Sequence, residues 1–167
     1  MATPIASLHT LTFVPRPAHF LPTNPATAER FDAGRAFLGA TLGLTKLGVN
    51  VTAVKPGKTA YPFHSHRAND ELFLILAGSG ELRLGAARRP VKEGDLIGCP
   101  AGDASTAHQL INTGASELRY LAISSELDPE ICEYPDSNKI GAYSGSDKSG
   151  LMHLSRRGDA ANYWDGE

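Results

Sequence analysis

The feature that most constrains this chain is its punctuation. Between Ala36 and about Leu127, short apolar runs are broken by Gly, Pro, Asn and Asp at intervals of roughly ten residues. No apolar period of the helical kind competes across that stretch, so helical bundles and α/β folds are excluded and an all-β sandwich or barrel is expected. The spacing predicts strands over 47–55, 61–66, 71–77, 80–85, 95–99, 106–112 and 117–124. Pro56-Gly57, Gly78-Ser79-Gly80, Glu93-Gly94-Asp95, Pro100-Ala101-Gly102 and Asn112-Thr113-Gly114 supply the turns. With 167 residues the chain suits one domain, large enough to fold without disulfides.

The flanks differ from this body. Residues 1–36 read as a proline-rich arm, in which Asn24-Pro25 caps and starts a short helix. Residues 37–127 form the body, and 128–167 a polar tail that packs on or near it. Within the tail, SNKIGAYSGSDKSG reads as loop, and Tyr163-Trp164 is a candidate to dock onto the body. Gly145 to Gly150 lacks the order of a phosphate loop. Leu72-Phe73-Leu74-Ile75-Leu76 is apolar on both faces, whereas a strand with one wet face would alternate. Its outer face therefore needs a cover, either the arm or a second subunit, and a homodimer is expected.

Sixteen basic and eighteen acidic side chains give a net charge of -2, which favours neither a nucleic-acid nor an anionic-membrane partner. No apolar run is long enough to span a bilayer. The first twenty residues lack the basic and apolar regions of a signal peptide, so the Asn50-Val51-Thr52 sequon reads as chance. Cys99 and Cys132 show no CxxC spacing and read as reduced thiols, with Cys99 placed at a strand end where it can line a pocket. Together these features predict a cytoplasmic protein.

The chemistry concentrates in HSHRANDE, His64 to Glu71. Residues two apart on a strand point to one face, so His64 and His66 project together. Glu71 opens the next strand after a short turn and can return to the same wall. His108 follows the Pro-Ala-Gly turn and is a third imidazole. Three imidazoles and a carboxylate suit a divalent transition metal, such as Mn, Fe, Ni or Zn. Imidazole is a neutral, directional donor, and one Glu lowers the charge of the site while leaving it positive. A six-coordinate ion held by these four would keep two positions for an anionic or oxygen-rich ligand. Spacing alone leaves surface histidines as an alternative. His9, His19 and His153 have no supporting pattern.

A wider pattern surrounds these residues. Gly57, His64, His66, Glu71 and Gly78 fall as G-x6-HxH-x4-E-x6-G, and Gly94, Pro100, Gly102, His108 and Asn112 as G-x5-P-x-G-x5-H-x3-N. This closely resembles the two signature motifs of the cupin superfamily. The first is one residue longer than the family pattern before His64, and the second three longer before His108. The resemblance implies a small antiparallel jelly-roll barrel with a divalent metal inside, held by His64, His66, Glu71 and His108. It also implies a homodimer. The stretches around the motifs are similar to single-domain bacterial cupins that carry a provisional label of sugar phosphate isomerase.

Three functions fit at this point: a metal-dependent isomerase of a sugar phosphate or similar small anion, an iron-dependent dioxygenase, and a non-catalytic carbohydrate- or small-molecule-binding module. An isomerase needs a base and cations for the phosphate. Lys55, Lys58, Arg67, Arg83 and Arg119 are the candidate cations, and no base is evident. Tyr61, Phe73 and Asn112 are the candidate substrate contacts. Ile75 and Leu110 line the same faces, and Phe63 joins Tyr61 beside the histidines.

Overall fold

A computed structural model of the protein describes residues 5–15, 21–145 and 150–167. Pro4, Pro17, His19 and most of the Gly145–Gly150 segment lie outside the described residues. The helix α1 (Pro25–Arg30) forms as the sequence predicts. Pro25 occupies its first turn, and Asn24 Oδ1 accepts the Thr27 N–H at 2.8 Å.

Twelve strands follow: β1 (Ala33–Phe37), β2 (Leu47–Val54), β3 (Ser65–His66), β4 (Glu71–Ala77), β5 (Ser79–Leu84), β6 (Ala87–Lys92), β7 (Leu96–Cys99), β8 (His108–Ile111), β9 (Leu118–Ser125), β10 (Glu130–Tyr134), β11 (Lys139–Ser144) and β12 (Leu151–Arg156). They build three antiparallel sheets, ordered β1-β2-β9-β4-β7, β12-β11-β10-β3 and β6-β5-β8. The five-stranded sheet packs across a core of Val54, Phe73, Ile75, Leu118 and Tyr120 against Leu82, Val91 and Leu110 of the three-stranded sheet. The expected antiparallel jelly-roll fold is present, as a β-sandwich; among the described residues the ladder hydrogen bonds do not close into a barrel.

Strand predictions inside the body hold to within a residue or two, except at 61–66. There Pro62 removes a ladder donor, and regular pairing is confined to Ser65 and His66. His64 instead makes a single bridge to His108, each residue donating its N–H to the other's carbonyl. The segment before His108 coils into a 3-10 turn over Ala104–Thr106, which absorbs the lengthened second motif. Gly78 shows why a motif glycine is needed. Its φ is +81°, and a Cβ there would sit 2.5 Å from the Glu117 carbonyl oxygen.

Five strands arise where no strand is expected from sequence. The strand β6 carries Arg88, Arg89 and Pro90, but among the described residues it is an edge strand paired only to β5, where a missing N–H is tolerated. The strand β1 pairs with β2 along five residues. The polar tail, of which residues 137–150 read as loop, supplies β10 to β12, and β10 pairs directly with β3 through Cys132 and His66. Tyr163 and Trp164 do not dock: they are 84% and 74% exposed and meet each other edge-to-face.

Register explains the two-faced strand. Phe73 and Ile75 face the core, while Leu72 and Leu74 lie opposite Ile123 and Leu121 on the outer face. The N-terminal segment covers one end of that face. Phe13 packs on Gly34, the Arg119 guanidinium lies over the Phe13 ring, and Val14 bridges to Arg35. The other end, with Leu72 and Leu96 exposed at 38% and 65%, stays open.

Candidate metal centre

His64, His66, Glu71 and His108 converge inside the sandwich. Glu71 opens β4, His66 ends β3, His108 opens β8, and His64 is its bridge partner. Glu71 Oε2 lies 2.7 Å from His108 Nε2, 3.4 Å from His66 Nε2 and 4.0 Å from His64 Nε2. The three rings pack with centroids 4.9–6.3 Å apart.

The opposite edge of each ring faces an acceptor outside the cluster. His64 Nδ1 is 2.9 Å from the Pro62 carbonyl, and His108 Nδ1 is 3.3 Å from the Thr106 carbonyl. His66 Nδ1 is 3.5 Å from Glu130 Oε2 and 3.4 Å from Cys132 Sγ. With Nδ1 turned outward in all three, every Nε2 turns inward toward one carboxylate. That is the ring orientation a metal-ligating histidine requires.

The electrostatics follow from this crowding. Burial, with smaller contributions from the neighbouring His108 and His66, lowers the His64 pKa to about 4, so its Nε2 keeps a free lone pair. For His66, burial opposes charge, but Cys132, Glu130 and Glu71 outweigh it and push the pKa up to about 12. Burial likewise opposes the Glu71 anion, yet His108 and His66 hold that carboxyl well below the usual range. Glu130 is lowered to about 2 against burial, by His66, the Asn69 amide and the Ala68 N–H. Two buried carboxylates therefore demand positive charge between them.

The donor set fits a divalent cation. His66 Nε2 is buried and makes no hydrogen bond, an orphaned nitrogen aimed into the cluster. His64, His66 and Glu71 each offer a donor atom within 4.8 Å of the others. A bound cation would replace the proton that His66 carries and satisfy all three Nε2 atoms at once.

The tail supplies a wall that the sequence reading missed. Along β10, Glu130, Cys132 and Tyr134 share one face, and each meets a histidine: Tyr134 stacks on His64 at 6.2 Å and 15°. Glu130 is 9% exposed and also accepts the backbone N–H groups of Arg67, Ala68 and Ile131, together with the Asn69 side-chain amide. The one sequence signal is a short run holding Ile131, Cys132 and Tyr134 bounded by Pro129 and Pro135; its polar and apolar residues do not alternate.

Of the expected substrate contacts, Tyr61 is half-buried, with its ring 6.0 Å from His64. Phe73 is buried between His108 and Tyr120 as floor. Asn112 does not face the site. Its amide donates to the Val54 and Ser116 carbonyls at 2.8 Å, and its Oδ1 accepts the Gly114 N–H, so it fastens a turn. Phe63 is buried beneath the Arg83 guanidinium rather than standing beside the cluster mouth, while Ile75 and Leu110 belong to the core. Cys99 is core too, its thiol pushed up to about 12 by burial and then by Glu71. Each of the five candidate cations has another partner: Lys55 with Asp32, Lys58 with the Glu29 carbonyl, Arg67 with Glu133, Arg83 with Asp136 and Arg119 with Glu117.

A jelly-roll sandwich with three inward imidazoles and a carboxylate at one end defines a class of small β-proteins built around an interior site. Residues 50–124 match the family model described as the cupin domain, and this segment of the chain is a cupin domain. Among solved structures, the chain is similar to a provisionally assigned sugar phosphate isomerase from Acidithiobacillus ferrooxidans. That match has 28% identity and a TM-score of 0.68, over 77% of this chain and 80% of that one. A cupin-superfamily sugar phosphate isomerase from Silicibacter pomeroyi shares the fold over 97% and 98% of the two chains, at 21% identity and a TM-score of 0.78. A predicted oxalate decarboxylase from Thermotoga maritima aligns at 25% identity and a TM-score of 0.50, over 57% of this chain and 81% of that one. No protein of curated function matches. No helix among the described residues is long and apolar enough to cross a membrane.

Proposed function

We propose that this protein is a metal-dependent cupin that acts on a small, oxygen-rich anion, as an isomerase of a sugar phosphate or a related compound. The observation that carries the metal is the shared orientation of His64, His66 and His108, each with Nδ1 turned to an outside acceptor and Nε2 turned to Glu71. These four residues would hold the ion. When bound, it would act as a Lewis acid that polarises a substrate carbonyl or hydroxyl. The protein's own part is to fix that donor set: Glu130 holds the orientation of the His66 ring, Tyr134 backs His64, and Phe73 forms the floor. The substrate class draws on the likeness to the Acidithiobacillus ferrooxidans protein.

The proposal includes a homodimer, because Leu72, Leu74, Leu96 and Ile123 leave an apolar area at the open end of the outer face. A monomer by light scattering at micromolar concentration would remove it. It also includes a cytoplasmic location, since Cys99 and Cys132 are both buried and unpaired.

The test begins with elemental analysis of protein purified without a metal-affinity tag. The parent retains a transition metal and His64→Ala does not. Equal uptake of Mn, Fe, Ni and Zn by both proteins defeats the reading. Metal-loaded protein is then incubated with aldose and ketose phosphates, with and without O2. Aldose–ketose interconversion supports the isomerase. Oxygen consumption turns the assignment to a dioxygenase, and saturable binding without turnover turns it to a binding module.

A further inference from the structure

Two of the described arginines are partly buried, Arg35 and Arg83. Arg83 is satisfied: its guanidinium makes a two-point pair with Asp136, at 2.7 and 2.8 Å. Arg35 has no carboxylate partner among the described residues. Its side chain lies over the Phe37 ring at 4.7 Å and the Tyr61 ring at 5.5 Å, and Nη1 donates to Tyr61 Oη at 2.9 Å. One of five N–H donors is used in that contact. Among the described residues a single hydrogen bond is made by this half-buried guanidinium, which leaves donors of its fork for an anion.

Its place in the sheet gives the anion a direction. Across the five-stranded sheet the register runs Arg35, Thr52, Tyr120, Ile75, and Tyr120 and Ile75 are core residues, so this row faces the interior. The next row on that face runs Phe37, Asn50, Ala122, Phe73, and Phe73 touches His108. Tyr61 links the two ends, with its hydroxyl at Arg35 and its ring beside His64. An arginine fork matches the oxygens of a phosphate or carboxylate in pairs, and rings on its faces hold it in one plane.

We propose that Arg35, steadied by Phe37 and Tyr61, anchors the oxyanion of the ligand, a phosphate monoester or a carboxylate, while the ligand's polar end faces the metal centre. The second half of this statement rests on the function proposed above; the oxyanion site itself does not.

The experiment uses the full chain, metal-free and metal-loaded, with inorganic phosphate and acetate as probes in calorimetric titrations. Metal affinity is measured separately by chelator competition. The parent binds phosphate or acetate saturably. Arg35→Gln weakens that binding at least tenfold, Arg35→Lys weakens it severalfold, and metal affinity changes less than twofold in either. Preference for phosphate assigns a phosphate ester, and preference for acetate a carboxylate. Should the variants fold poorly by circular dichroism, the Arg35 Nε–H resonance of the parent decides, since it shifts on titration with the bound anion. Equal anion binding by parent and Arg35→Gln, no binding by the parent, or an unmoved Arg35 resonance overturns the anchor. Arg35-dependent binding in a protein that takes up no metal keeps the anchor and defeats the metal reading. Metal uptake with indifferent Arg35 does the reverse.

Discussion

His66 stands between two regions of different origin. On its inner side are Glu71, His64 and His108, all within the cupin-motif stretch from Gly57 to Asn112. On its outer side are Glu130 and Cys132, from β10 in the C-terminal segment. Both sides present a carboxylate about as close to a ring nitrogen, 3.4 Å to Nε2 within and 3.5 Å to Nδ1 without. Their surroundings differ. Glu130 is held by four backbone or amide N–H donors besides His66, whereas Glu71 Oε2 faces the three imidazoles of His64, His66 and His108. The inner carboxylate is placed to bind, and the outer one to fix the orientation of what binds.

The comparison predicts a graded loss. Glu71→Gln removes the only anionic donor of the inner cluster and leaves three neutral imidazoles at most. Metal affinity should fall by more than about 100-fold, beyond the range for residues that merely support a ligand. Chelator competition measures it. A smaller loss than that of the outer variant would invert the roles of the two carboxylates.

Glu130→Gln keeps the shape and an acceptor oxygen but removes the charge facing His66 Nδ1. Affinity should fall about 10- to 100-fold. The Nδ1–H proton resonance of His66 should move upfield as its hydrogen bond weakens. An unchanged resonance with unchanged affinity would reduce the C-terminal sheet to packing.

The same division governs what could be read from the chain. Within the motif stretch, ligand spacing is local: two residues set His64 and His66 on one side, and a turn returns Glu71. Those strands were legible because turn residues bound them on both sides. Lengthened motifs did not mislead, since the Ala104–Thr106 turn takes up the slack before His108. The strands that escaped are ones in which tertiary pairing overrides composition, as in β6 with its arginines and proline, or β11 and β12 in a polar tail. Arg35 escaped for a related reason. Its direction depends on β1 pairing with β2, and nothing in AGRAF announces that partner.

The smallest effect concerns how the C-terminal segment is fastened to the body. Arg83 of β5 pairs with Asp136, in the turn after β10, and lies 3.6 Å over the Phe63 ring. The Arg83 guanidinium holds the Asp136 carboxyl below its ordinary value. A carboxyl lowered on folding adds stability above its unfolded pKa, near 4, and that stability is lost as pH falls through the lower folded value. Asp136 is about half exposed, so solvent screens the pair and its contribution should be about 0.5–1 kcal/mol at most. Asp136→Asn should therefore lower the urea midpoint slightly at pH 7 and flatten the acid limb of stability below pH ~4, with metal affinity unchanged. A loss of metal along with this small loss of stability would show that the surface pair, and not Glu130 alone, keeps β10 in register with His66.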